Sequence, residues 1–456
     1  MRPLQTGAAD RHGLTREDAR ALTEKILGFA SADHTRVNVW AGVQSNTRTA
    51  INRITTAGAS DNTTVTVTSV FGKRQASITT NRLDDAALEA AVARSEALAR
   101  IAPENPEYLP ELGEQDYLDV DGSYASTGGL TTEARAEAAA LAVAAAEESE
   151  TVAAGFISVA AGSTSVATSN GAFGYYMRTG VNSTLTVRTP DGSSSGWAGD
   201  EASDWNTIES ERIAADAVRK CLDWRGRTDL EPGLYDVVLE PTAVGNLLLR
   251  LMWALDARAA DEGRSFFSKP GGGNRIGERL FDERITLASD PSVPDAEASP
   301  FTNDGQPTTR NLWVENGVLR SLRYSRFWAD RSGTAPNPGA DNFLMSGGDA
   351  TLDDLIAATE RGVLITRLWY IRELNPRTIA YTGLTRDGTF LIENGRIARP
   401  VTNFRFNQSI PEMLQNVDLV GRAARVASGE GDYGPPVVVP PLKVRGFNLA
   451  SVSDAI

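Results

Sequence analysis

Between Thr35 and Thr80 the chain repeats one device: β-branched residues alternate with polar ones at a period of two. Val37 and Val39 begin it, Arg48–Thr56 and Thr63–Val70 continue it with threonine, and Ala76–Thr80 follows a Gly72-Lys73 turn. A strand sends successive side chains to opposite faces, so this pattern makes a half-buried strand and would scatter the same apolar residues around a helix. It predicts an antiparallel meander. Apolar packing must hold that sheet, because the chain's single cysteine, Cys221, can form no intrachain disulfide and supply no Cys-rich zinc module. Only two histidines, His12 and His34, are present, so chemistry needing three imidazoles is excluded. At 456 residues the chain is long enough for about two or three domains with sizeable cores.

Helical signals flank the meander. Thr15 followed by Asp18 resembles a capping box, with Ala19, Leu22, Ile26 and Leu27 near one face, and a second amphipathic helix is expected from Asp84 to Ile101. Residues 103–124 hold Pro103, Pro106 and Pro110 among Glu104, Glu107, Glu111, Glu114 and Asp116, which predicts a solvated, irregular connection. A helix over Thr131–Glu150 follows, then strands at Val152–Val159, Ser163–Ser169 and Val181–Arg188 with an Asn170-Gly171 hairpin, then a helix from Trp205 to Trp224.

A new unit starts at Pro232-Gly233. Tyr235–Leu239 reads as a buried strand, Ala243–Ala259 as a helix, and 261–310 as long loops. Leu312–Leu322 and Thr389–Ile397 each place Glu-Asn-Gly between apolar flanks, and Asn-Gly suits a tight hairpin because both central residues need φ > 0. Helices are expected at Leu352–Arg361 and Ile410–Val426, and a final strand at Val437–Val444. The expected fold class is α+β in two domains. Residues 1–230 form an antiparallel sheet with helices and 231–456 a mostly antiparallel, β-rich unit.

The 45 basic and 59 acidic residues give a net charge of −14, which disfavours nucleic acid and acidic membrane surfaces as partners. Met1 to Gly13 lacks the apolar stretch of a signal peptide, and the longest apolar run, Ala138 to Ala146, falls far short of the ~20 residues of a membrane span. A cytoplasmic protein is the expectation.

Motifs that hint at chemistry have plainer explanations. Gly192-Ser193-Ser194-Ser195-Gly196 matches the nucleophile-elbow pattern, but no histidine follows it and Trp197-Ala198-Gly199-Asp200 starts a helix poorly, so it reads as a loop. Gly271-Gly272-Gly273 lacks the Gly-Lys-Ser/Thr of a phosphate loop. Asp119-Val120-Asp121-Gly122 lacks the ligand spacing of a calcium loop. Cys221 is expected as a small buried apolar residue, and His12 and His34 as surface residues. Residue chemistry alone yields no complete catalytic constellation.

A series of segments carries a resemblance. It runs through Val237-Val238-Leu239-Glu240-Pro241 and the Leu247–Leu255 helix to Ile276-Gly277-Glu278 and Asn303-Asp304-Gly305 with Thr308 and Arg310. It continues through Val314-Glu315-Asn316-Gly317, Arg361-Gly362-Val363 with Thr366, Leu391-Ile392-Glu393-Asn394-Gly395 and Pro440-Pro441-Leu442-Lys443-Val444. In order and spacing these resemble the TldD/PmbA family. One kind of subunit in that family, TldD, is a zinc peptidase with H-E-x-x-x-H on the helix after the Pro241-like strand end and a cysteine near the C-terminus. Two imidazoles and a thiolate hold the metal while the glutamate polarises water. Counting from Pro241 puts Leu249 and Arg250 at the first His-Glu pair and Ala254 at the second histidine; counting back from Leu442 puts Tyr433 at the cysteine.

The resemblance therefore implies the other kind of subunit, TldE (PmbA), with no catalytic residue, no cofactor and no metal of its own. Its implied partner is a TldD-type zinc peptidase subunit in a heterodimer acting on extended, unfolded or precursor peptides. The alternative is a stand-alone homodimeric peptide-binding pseudoenzyme. A metal-free site relocated to Asp256, Asp261 and Glu262 is a third reading, against which these acids end a helix in solvent. Trp253, Trp313, Trp328 and Trp369 are candidates for interface or peptide contacts, with core packing as the plainer role.

Overall fold

The computed structural model describes residues 12–427 and 434–454. Its first half winds six strands into one antiparallel sheet: β1 (His34–Ala50), β2 (Arg53–Phe71), β3 (Arg74–Thr80), β4 (Val152–Thr168), β5 (Phe173–Arg188) and β6 (Ser195–Ala202), ordered β3-β2-β1-β4-β5-β6. Five helices accompany it: α1 (Arg16–Gly28), α2 (Asp85–Ile101), the short α3 (Ala125–Gly128), α4 (Thr132–Glu148) and α5 (Ser210–Asp223). The helix starts behave as local chemistry dictates, with Thr15, Asp84 and Thr131 each accepting a first-turn N–H through the side chain. Alternation along β1 and β2 buries Val37, Val39, Val65 and Val67 with Ile26 of α1 and Leu88 and Val92 of α2. Ala198 of β6 packs likewise with Ile213, Ala217 and Cys221 of α5.

The meander is longer and simpler than the expected pieces. Arg48–Thr56 is not one strand but the hairpin between β1 and β2, with Ile51 and Asn52 both at φ 52°. No Asn-Gly marks that turn. It is secured by tertiary bonds: Asn52 Oδ1 accepts from Ala153 N at 2.6 Å and its Nδ2 donates to Thr151 O at 2.9 Å. Val152–Val159 and Ser163–Ser169 are likewise parts of one strand, β4, and no sequence signal anticipates β6. The Trp205–Trp224 helix is a 3-10 turn at Trp205–Thr207 followed by α5. Glu111, expected in a solvated connector, is buried and paired with Arg36 at 2.9 Å.

The second half holds β7 (Gly233–Leu239), α6 (Pro241–Ala254), α7 (Ala257–Asp261), β8 (Leu287–Ser289), β9 (Asn311–Glu315), β10 (Val318–Leu319), α8 (Arg326–Ser332), β11 (Phe343–Met345) and α9 (Leu352–Ala357). It continues with β12 (Arg361–Asn375), β13 (Ala380–Glu393), β14 (Arg396–Pro400), β15 (Asn403–Ser409), α10 (Ile410–Gln415), β16 (Val417–Val420), β17 (Ala424–Arg425), β18 (Val437–Val439) and β19 (Leu442–Ser453). One sheet runs β10-β9-β8-β11-β18-β17. The other runs β12-β7-β19-β15-β13-β14, and because β12 also pairs with β13 the path closes into a five-stranded ring, which leaves those strands no bare edge. Pairing is antiparallel except for β12 with β7 and β11 with β18.

Both Glu-Asn-Gly hairpins form as expected, with φ 48° and 78° at Asn316-Gly317 and 51° and 71° at Asn394-Gly395. The Ile410–Val426 helix stops at Gln415, because Val417–Val420 pairs with β19 instead and Gly421 lies against Pro441. Leu352–Arg361 is helical only to Ala357, and the helix expected over Ala243–Ala259 breaks between α6 and α7. The final strand is two, β18 and β19, parted by Pro440-Pro441. Trp224, after α5, joins Val238, Leu364, Phe390 and Ile392 of the ring in one buried cluster. Among the described residues no helix is long and apolar enough to cross a membrane.

Candidate functional site

Helix α6 positions the candidate site. Pro241, in the first turn, stiffens the helix start where a missing N–H costs no hydrogen bond. Glu240 at the N-cap receives Lys220 Nζ at 2.6 Å and the Thr366 hydroxyl at 3.3 Å, tying the helix to α5 and β12. Val244, Leu247, Leu248, Leu251 and Met252 are buried in the main core. Gly245 lets the helix approach Val426, whose Cγ2 would stand 2.8 Å from an added Cβ. With its body fixed this way, α6 presents its last turn to a cleft of about 280 Å³.

Arg250, Trp253 and Ala254 of α6 line that cleft, and Glu373, Ile379 and Tyr381 face them from the β12–β13 turn. Arg250 lies over the Trp253 ring at 4.8 Å, one helical turn away, as a cation over an aromatic face. Trp253 itself is 60% exposed. Opposite, the Tyr381 hydroxyl donates to Glu373 at 3.5 Å. Burial raises the Tyr381 pKa, the Glu373 charge raises it further, and Arg250 opposes both. The cleft thus offers a flat indole, with Arg250, Arg264, Asp256 and Glu373 as charged groups and Ala254, Pro376 and Ile379 as apolar ones.

Of the four sequence-derived positions, the structure brings Arg250 and Ala254 to this cleft. Leu249 is half-buried and packs against the main core. Tyr433 lies outside the described residues. The three acids after α6 are all engaged. Asp256 caps α7 by accepting from Ala259 N, Asp261 accepts from Asn274 and from the Trp328 indole, and Glu262 pairs with Arg258 and Arg264. Trp313 and Trp328 are core residues and Trp369 is half-buried, which leaves Trp253 as the exposed member of that set. Sequence reasoning missed Glu373 and Tyr381, which reach α6 only through the turn between two ring strands.

The other motifs resolve into structure. Gly192 sits at φ 70° in the β5–β6 turn, and Ser194 Oγ donates to Cys221 O at 2.5 Å. Cys221 is buried, and burial raises its thiol pKa. Gly271, Gly272 and Gly273 all hold positive φ in a loop with open space around them. Asp121 accepts from Ser123 N in a turn, and His34, half-exposed, lies 3.2 Å from Asn170 Oδ1. Among the described residues no three His, Cys, Asp or Glu side chains gather as a metal site would require.

Comparison with known proteins adds to this geometry. Family models described as the PmbA/TldA metallopeptidase central domain and C-terminal domain match residues 129–223 and 232–451. A metalloprotease of Methanothermobacter thermautotrophicus is 27% identical over 242 residues, 47% of this chain and 51% of that protein. A metalloprotease TldD homolog of Buchnera aphidicola is 24% identical over 246 residues, 50% of this chain and 49% of that protein. The chain thus spans about half the length of these curated relatives. The crystal structure of TldE from Thermococcus kodakarensis superposes with a TM-score of 0.81 at 18% identity, covering 94% of this chain and 99% of that one.

Proposed function

The chain belongs to the TldD/PmbA metallopeptidase family, and from that premise we propose that it is the subunit without zinc in a cytoplasmic heterodimeric peptidase, paired with a TldD-type zinc subunit. One observation carries the reading: α6 contains no histidine, and counting from Pro241, as the resemblance implies, sets Leu249, Arg250 and Ala254 at the His-Glu and second His of the zinc-binding kind. Zinc is held by nitrogen, sulfur or carboxylate oxygen. Leu249 and Ala254 end in carbon, and Arg250 brings a positive charge beside a dication. The residues present do not fit the metal, so no step of hydrolysis is assigned to this chain.

Its part is to guide an extended peptide and to complete the enclosure around it. Trp253 supplies a flat surface that stacks on any side chain, and Arg250 and Glu373 supply opposite charges for peptide polar groups. The two units, 1–230 and 231–456, act as one body in this role, joined by Lys220–Glu240 and the Trp224 cluster. The test is a tagged pull-down from the native cells with mass spectrometry. A partner in equal amount bearing H-E-x-x-x-H is the expected result, with no zinc in the isolated chain. Recovery of this chain alone, as a homodimer, or stoichiometric zinc at α6 would overturn the proposal.

A further inference from the structure

A second cleft, of about 340 Å³, lies between the first sheet and the loops around residues 299–308 and 338–341. Arg323, Arg178, Thr164 and Asp341 are among its lining. Arg323 is the anomaly there. Its Nε and Nη2 are sealed from solvent, yet neither has a hydrogen-bond partner among the described residues. Its guanidinium lies over the Trp313 ring at 5.4 Å, and among the described residues the buried indole N–H of Trp313 also lacks an acceptor. Burial lowers the Arg323 pKa, and Asp341 is the acid that opposes this. An arginine keeps its charge in a protein, and Asp341 makes no hydrogen bond to the buried Nε and Nη2, so this guanidinium is costly to desolvate unless an anion arrives.

The walls are built before any ligand enters. Arg323 N donates to Leu255 O at 2.7 Å, Ala340 N to Ser289 Oγ at 3.2 Å, and the Thr308 hydroxyl to Ser299 O at 2.7 Å. Gly339, at φ 67°, lies so close to Trp313 that an added Cβ would stand 2.3 Å from the ring. The open buried donors are those of one guanidinium, Arg323, and a single positive charge matches a carboxylate better than a phosphate dianion. A planar guanidinium also takes a carboxylate by two parallel bonds.

We propose that this cleft binds a peptide-borne carboxylate, with Arg323 as its principal ligand. Leu255, which accepts the Arg323 backbone N–H, is followed directly by Asp256, which lines the first cleft beside Arg250, so the chain that holds Arg323 in place also borders that cleft. The peptide part of this rests on the subunit reading, whereas carboxylate binding is measured on the full-length chain alone, so the two fail separately.

The probes are N-acetyl-tetraalanine with a free C-terminus, the same peptide as its amide, and the amide carrying one internal glutamate, each titrated calorimetrically. The free acid is expected to bind at least about tenfold more tightly than the plain amide, the size of one charge-assisted hydrogen bond. Arg323→Met should erase that difference, and Asp341→Asn should tighten the free acid. If the glutamate peptide matches the free acid, the site takes side-chain carboxylates as well, which supports the assignment. Equal binding of acid and amide to the wild-type chain would overturn it, whether or not Arg323→Met folds. So would displacement by inorganic phosphate at lower concentration than acetate.

Discussion

Gly196→Ala tests the seam between β6 and α5. An added Cβ there would stand 2.3 Å from Ala217 O and from Cys221 N, and 2.8 Å from Lys220 C. All three are backbone atoms of a helix, so no side chain can turn aside. Restoring ordinary contact near 3.4 Å requires α5 to move away by about 1 Å. That motion loosens the packing of Ala198, Ile213, Ala217 and Cys221 and strains the Ser194–Cys221 hydrogen bond. Overpacking of this kind costs about 1–3 kcal/mol and the loosened bond about 1 kcal/mol more, so a loss of about 3 kcal/mol is expected. The reporter is built in. Cys221 is the sole cysteine, fully buried, with its thiol pKa raised by burial, so its rate of labelling by a disulfide reagent reads opening of this seam. Gly192→Ala is the control: it has open space and suffers only the left-handed backbone, at about 1–2 kcal/mol. If Gly196→Ala denatures in urea no earlier than Gly192→Ala and Cys221 stays equally protected, the reasoning is refuted.

Lys220→Met leaves Glu240 at the start of α6 with a hydroxyl but no cation, and should cost about 3 kcal/mol; a cycle with Glu240→Gln should recover part of it, and strict additivity would count against the pair. Tyr117 donates to Gly305 O at 2.7 Å, and burial with the Asp304 charge pushes its pKa up to about 12. A pKa raised above the unfolded value near 10 means that stability present below that pH is lost as pH rises from about 10 to 12. Phenolate absorbance near pH 12 should fall by one tyrosine in Tyr117→Phe, while that of Tyr108, also pushed up to about 12 by burial, remains. On the proposed peptide-binding role, Trp253→Ala should weaken binding of an extended peptide to the chain by about 1 kcal/mol, read by titration calorimetry, while leaving the melting curve unchanged.

Local chemistry was legible wherever the determining atoms lie within a few residues. Thr15, Asp84 and Thr131 cap their helices because each side chain meets its own first turn. Asn316-Gly317 and Asn394-Gly395 turn where they do because those residues tolerate positive φ. The scarcity of imidazole is likewise a matter of sequence: the chain holds only His12 and His34, and neither lies on α6. What depended on distant pairing was not legible. The Ile51-Asn52 turn carries no signal of its own and is held by bonds to residues 151 and 153. Val417 fits helical spacing but pairs with Val444, and β12 finds β13 to close a ring that no single strand announces. Glu373 and Tyr381 come to face Arg250 for the same reason. Their side chains were always of the right kind, but only closure of the ring sets them across from the end of α6.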